Sequence, residues 1–149
     1  MRLNQELNRI KGGTRRGLIK VGFVIKAQSM KNAPIDTSNL RASHYVWWKG
    51  GAMETPSYNR NGRDGEEKLT ESDLTQLRQA YQEELSRAAA EIRDFEIRIG
   101  ASAHYALAVH EGDPSANWNN GAPKYLEKAV NTARRVALRM VANDIGFKG

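Results

Sequence analysis

The chain has 149 residues, 40% hydrophobic and 27% charged, with a net charge of +6, the proportions of a globular domain. It has no cysteine, which excludes disulfides, thiolate metal sites and cysteine nucleophiles. No run approaches the roughly eighteen apolar residues of a membrane span, and the N-terminus lacks a signal-peptide pattern. The expectation is one domain, residues 1–149, in the cytoplasm of the cell that makes it, with no membrane partner.

The charge is unevenly placed. Residues 1–31 hold eight Lys/Arg against Glu6 alone, and residues 122–149 hold six against Glu127 and Asp144. Residues 49–95 reverse the sign, with ten acids against seven bases. Basic ends around an acidic middle suit nucleic acid, and equally suit contact between copies of one subunit.

The first segment reads as helix. Leu3, Leu7 and Ile10 recur at helical spacing, Gly12-Gly13 interrupts, and Thr14 is a candidate cap for a second start. Two adjacent helical glycines cost roughly 2 kcal/mol against alanines, so the pattern leaves one helix or a kinked pair open. From Leu18 to Met30 apolar residues occupy nearly every face, as in a helix central to a core or shared with a neighbouring chain. Pro34 cannot continue the helix and pushes Ala33 toward extended geometry, placing the end at about Lys31 or Asn32. Asp36, Thr37 and Ser38 then offer short acceptors for a turn.

Leu40 to Trp48 alternates like a strand and ends in Tyr45, Val46, Trp47 and Trp48. Residues 49–68, with Gly50, Gly51, Gly62 and Gly65 among polar residues, read as a long mobile loop. Thr70-Glu71-Ser72-Asp73 is a capping box with Asp in place of Glu, opening a helix to about Arg93. Its single stripe is Leu74, Leu77, Tyr81, Leu85, Ala88 and Ile92. Phe95, Ile97 and Ile99 predict a strand closed by Gly100, while His104 to Gly112 fits either a strand or a short helix. The last helix is predicted from Ala122-Pro123 to a stop at Gly146. Its buried face is Leu126, Ala129, Val130, Ala133, Ala137, Met140 and Val141, with Lys124, Lys128, Arg135 and Arg139 on the other.

Three enzyme readings fail on pattern. Asp36-Thr37-Ser38 lacks the glycine, the strand-flanked loop and the second Asp of an aspartic protease site. His104 and His110 are six apart, and Gly112-Asp113 follows Glu111 where a zinc signature needs further spacing to a histidine. No Gly-x-Ser-x-Gly elbow is present. For nucleic acid, the basic helices and Trp47, Trp48 and Trp118 suit phosphate contact and stacking, but no recognised binding motif appears.

Three separated segments carry a family resemblance. Ala33-Pro34-Ile35-Asp36-Thr37-Ser38-Asn39-Leu40-Arg41-Ala42-Ser43 is similar to an Ala-Pro-hydrophobic-Asp-Thr-Gly-x-Leu-Arg-x-Ser segment. Tyr105-Ala106-Leu107-Ala108-Val109-His110-Glu111-Gly112 is similar to a Tyr-Ala-x-x-Val-(His)-Glu segment. Ala122-Pro123-Lys124-Tyr125-Leu126-Glu127-Lys128-Ala129 resembles a Pro-Lys-Phe-Leu-Glu-x-Ala segment, with Tyr125 for Phe. The family is that of tail-completion, or head–tail joining (neck), proteins of long-tailed bacteriophages, also called minor tail or minor capsid proteins. Ser38 departs from the family's glycine, and residues 49–93 have no counterpart, so they stand as an inserted loop plus helix and a candidate docking element.

The resemblance implies an α+β subunit, with a long N-terminal helix and a C-terminal helix packed on a small antiparallel sheet. It implies a virion protein, cytoplasmic before assembly, that forms a cyclic homo-oligomer (a hexamer, from the tail tube it serves). That ring completes the tail and joins it to the head connector or stopper protein on one side and the tail tube or terminator protein on the other. It implies no catalysis and no cofactor. The motif residues Pro34, Asp36, Thr37, Leu40, Arg41, Tyr105, Ala106, Val109, His110, Glu111, Pro123, Tyr125 and Leu126 are expected as structural keystones. Arg15, Arg16, Trp47, Trp48, Lys124, Lys128 and Arg135 are expected at interfaces, with passing DNA as a secondary contact. The alternative reading is a free, sequence-independent DNA-binding protein.

Overall fold

The structure, a computed structural model, describes residues 2–34, 39–52, 58, 69–113, 115–116 and 121–147. Helix α1 (Arg2–Asn32) runs as one helix through Gly12-Gly13. Packing is the physical reason. A Cβ on Gly13 would stand 2.6 Å from the Asp144 carbonyl oxygen, and one on Gly17 would stand 2.6 Å from Val141 Cα. The missing side chains let the C-terminal helix α5 (Tyr125–Ile145) lie backbone to backbone on α1, and that contact offsets the weak helix propensity.

After α1 the chain makes a short helix α2 (Asn39–Ala42) before strand β1 (His44–Trp48). The expected strand from Leu40 is therefore corrected: Ser43 N–H donates to the Asn39 carbonyl (2.9 Å), and the Ser43 hydroxyl donates to Leu40 O (2.8 Å), so the helical turn is locally closed. The three-stranded antiparallel sheet has the order β2-β1-β3, with β2 (Gly51–Ala52) and β3 (Ile97–Ala101) flanking β1. Phe95, expected in β3, precedes it with a left-handed backbone (φ 61°) and is 42% exposed. Helix α3 (Glu71–Glu91) opens with the expected box: Asp73 N–H donates to Thr70 Oγ1 (3.2 Å) and Thr70 N–H donates to Asp73 Oδ2 (2.8 Å). The ambiguous segment resolves as a short helix, α4 (Ala106–His110).

Strand alternation sorts β1 between two layers. His44, Val46 and Trp48 face α1, where His44 bonds Ser29, Val46 lies beneath Gly22 and the Trp48 ring meets Phe23 edge-on (6.3 Å). Tyr45 and Trp47 face α3, with Trp47 against Tyr81. The molecule is thus a helix pair, a small sheet and a third helix, stacked in that order, which is the expected α+β architecture.

Two burial expectations change. Helix α1 is not covered all round, since Phe23 and Val24 are 41% and 39% exposed. Val130 is 43% exposed because the glycine-lined contact with α1 is narrow and centres on Ala129 and Ala133.

Candidate functional site

The three resemblance segments are distant in sequence and meet in one place, where α1 ends, α4 turns and α5 begins. Two backbone bonds and one side-chain bond tie them: Ala122 N–H donates to Asn32 O (3.0 Å), Lys124 N–H to His110 O (2.8 Å), and the Asn32 side-chain amide to Tyr125 O (3.3 Å). Gly121 (φ 118°) allows the closest approach, since a Cβ there would lie 2.6 Å from Pro34 N and Ala33 C. Pro34 and Pro123 are buried at this junction.

Arg41 reaches back across the junction. Its Nη2 donates to Ala33 O (2.9 Å) and Lys31 O (3.4 Å), supplying a cationic donor to carbonyls that α1's own ladder leaves open. Leu40, Ala106 and Tyr125 are buried in one cluster, with Tyr105, Val109 and Leu126 packed against it. The Tyr125 hydroxyl donates to Ala106 O (3.1 Å), and its ring lies between those of His44 (5.6 Å) and His110 (5.0 Å). Burial pushes the Tyr125 phenol up to about 12. Asp36 and Thr37 lie outside the described residues, as does Trp118 and most of the 49–68 loop.

Lys124 takes the left-handed backbone conformation (φ 58°, ψ 30°) immediately before α5, so the expected proline start moves: the helix begins at Tyr125, two residues after Pro123. Such a non-glycine residue costs on the order of 1 kcal/mol, and surrounding bonds must fix it. They do. Besides its N–H bond to His110, Lys124 Nζ donates to Glu111 Oε2, while His110 Nδ1 stands 2.8 Å from Glu111 Oε1. Lys124, then His110, hold the Glu111 carboxyl below its ordinary range.

One pair at this junction looks catalytic in isolation. Ser29 Oγ lies 2.9 Å from His44 Nε2, and His44 Nδ1 lies 2.9 Å from Leu40 O. The second contact requires the proton on Nδ1, leaving Nε2 to accept from the Ser29 hydroxyl. Ser29 and His44 are both fully buried, and the third partner is a carbonyl where a triad has a carboxylate. Burial lowers the His44 pKa to about 4, so the ring is neutral. This pair pins α1 to β1, and no substrate reaches it. Among the described residues, no group of three or more His, Asp or Glu is placed to hold a metal ion, and no helix is long and apolar enough to cross a membrane.

The expected interface residues divide. Trp47 is corrected: it is 2% exposed, stacked on Tyr45 (3.8 Å) and edge-on to Tyr81, so it belongs to the core beneath α3. Trp48 is half-buried against Phe23. Arg15 lies 3.9 Å from Asp94, and Arg16 donates to the Asp144 carbonyl (3.4 Å). Lys128 and Arg135 stand exposed on α5.

Sequence reasoning missed Ser29, Asn32, His44 and Gly121. Only the glycine spacing of Gly13 and Gly17, four apart on one helix face, carried a readable sign of close helix contact.

No protein-family model matches the chain, no curated protein matches it, and no solved structure matches it.

Proposed function

We propose that this chain is a structural subunit of the neck of a long-tailed bacteriophage, forming a ring that completes the tail tube and joins it to the head connector. The observation that carries the reading is the interlocking of the three resemblance segments at one junction. Their polar groups bond one another and helix ends, which is the behaviour of a structural keystone. The motif residues act by fixing the angle between α1 and α5, and no reaction is assigned to them.

Two-sided charge supports assembly through unlike surfaces. Helices α1 and α5 hold twelve Lys/Arg against Glu6, Glu127 and Asp144, whereas α3, beyond the sheet, holds five acids against two arginines. Head-to-tail contact between unlike faces closes into rings when the rotation allows. The partners are further copies of the chain, the connector or stopper protein and the tail tube or terminator protein. The site of action is the virion, after assembly in the host cytoplasm.

Electron microscopy of purified particles tests this. The chain should trace as a ring between head and tail, and particles made without it should appear as filled heads beside separate tails. Joined particles without the chain, or density for it elsewhere, overturn the proposal.

A further inference from the structure

We infer that the outer ridge of α5 is a binding site for the phosphodiester backbone of double-stranded nucleic acid. Lys128, Arg135 and Arg139 recur at spacings of seven and four, which aligns them along one helix face over about 16 Å. All three are exposed, and Arg134 is exposed beside them. None of the four makes an ion pair among the described residues.

That sets α5 apart from α1, where four of the eight bases are engaged. Arg9 bonds Glu6 and the Ile145 carbonyl, Arg16 the Asp144 carbonyl, Lys20 the Asp144 carboxylate (2.7 Å), and Arg15 faces Asp94. Arg9, Arg16 and Lys20 therefore help secure the helix pair, whereas Lys128, Arg134, Arg135 and Arg139 of α5 face solvent without an ion-pair partner among the described residues. A row of three, two of them arginines with forked donors, matches a linear array of phosphates. A membrane surface fits poorly, because a helix lying in the interface needs a free apolar face. The apolar face of α5 (Ala129, Ala133, Ala137) is packed on α1, and its exposed apolar residues Val130, Val136 and Leu138 are scattered around the helix without forming a continuous face. The ligand is read by charge alone, so binding is independent of base sequence. This inference goes beyond the neck reading and stands without it.

The test is fluorescence anisotropy of a labelled duplex with the isolated full chain between 50 and 200 mM salt. Binding should weaken by about a hundredfold over that range, as expected for roughly four phosphate contacts. The triple variant Lys128→Gln/Arg135→Gln/Arg139→Gln should bind at least tenfold more weakly at 50 mM, with a shallower salt slope, while circular dichroism shows the fold intact. Arg78→Gln/Arg93→Gln, two exposed residues on the α3 side, should leave binding unchanged. DNA and RNA duplexes in parallel arms separate the two sources of backbone. The idea is overturned by absence of salt-sensitive binding, by equal loss in the α3-side control, or by poly-glutamate competing as well as the duplex.

Discussion

The two faces of the sheet are built on different principles. On the α1–α5 face, helices meet through missing side chains, with Gly13 and Gly17 against the α5 backbone and Gly22 over Val46 and Ile97. On the α3 face, contact is made by rings: Trp47 lies between Tyr45 and Tyr81, with Leu85, Ala88 and Ile92 around them. Backbone contact is close and intolerant of added atoms. Ring contact is strong but coarse, and beside it a groove of about 380 Å³ stays open between the β1–β2 turn and α3, lined by Trp48, Leu85, Ala89 and Ile92. One face is fixed by what cannot be added, the other by what cannot be removed.

The largest expected effect tests the ring-built face. Trp47→Ala empties the space beneath α3 and should cost about 4 kcal/mol in urea unfolding. A loss below 1 kcal/mol would mean that α3 contributes little to the fold.

Acid tests the buried polar link on the other face. His44 is neutral when folded, with a pKa near 4 against an ordinary 6.5, and Lys26 and Arg41 nearby disfavour its charging further. The unfolded chain takes up this proton first as pH falls. Stability is therefore complete above about pH 6.5, declines between 6.5 and 4, and is lower by about 3 kcal/mol below that window. Denaturant midpoints across pH should show this slope, and His44→Gln should flatten it. An unchanged slope in that variant would assign the effect to other groups.

Two glycine substitutions sharpen the comparison most finely. Gly17→Ala drives a methyl into the Val141 backbone and should destabilise by about 2 kcal/mol, despite alanine's better helix propensity. Gly12→Ala meets only the flexible end of Arg16 at 3.4 Å and should stabilise by about 0.7 kcal/mol. If thermal melting shows both variants moving the same way, the backbone-contact account of the α1–α5 face fails.

Much of the secondary structure was legible because its causes are local. Pro34 ends α1 after Asn32, Thr70 and Asp73 cap α3, and Gly146 (φ 91°) ends α5, each by chemistry acting within a few residues. The strand start was misread because Leu40's apolar character serves a buried helical turn as well as a strand. The candidate site was legible as three motifs but not as one junction. Trp47 illustrates the same gap, since an aromatic residue at a strand end reads as surface or core with equal ease, and only α3 lying over it decides.

By itself the sequence determined most helix ends and the sign of each charged segment, because propensity, capping and charge are properties of neighbouring residues, while the α+β packing was legible through the family resemblance. Tertiary structure alone decided that Gly12-Gly13 stays helical, that His44 is sealed and neutral, and that Arg9, Arg16 and Lys20 of α1 reach α5. Each of these depends on contacts between residues far apart in the chain, and their energies exceed the local preferences that oppose them.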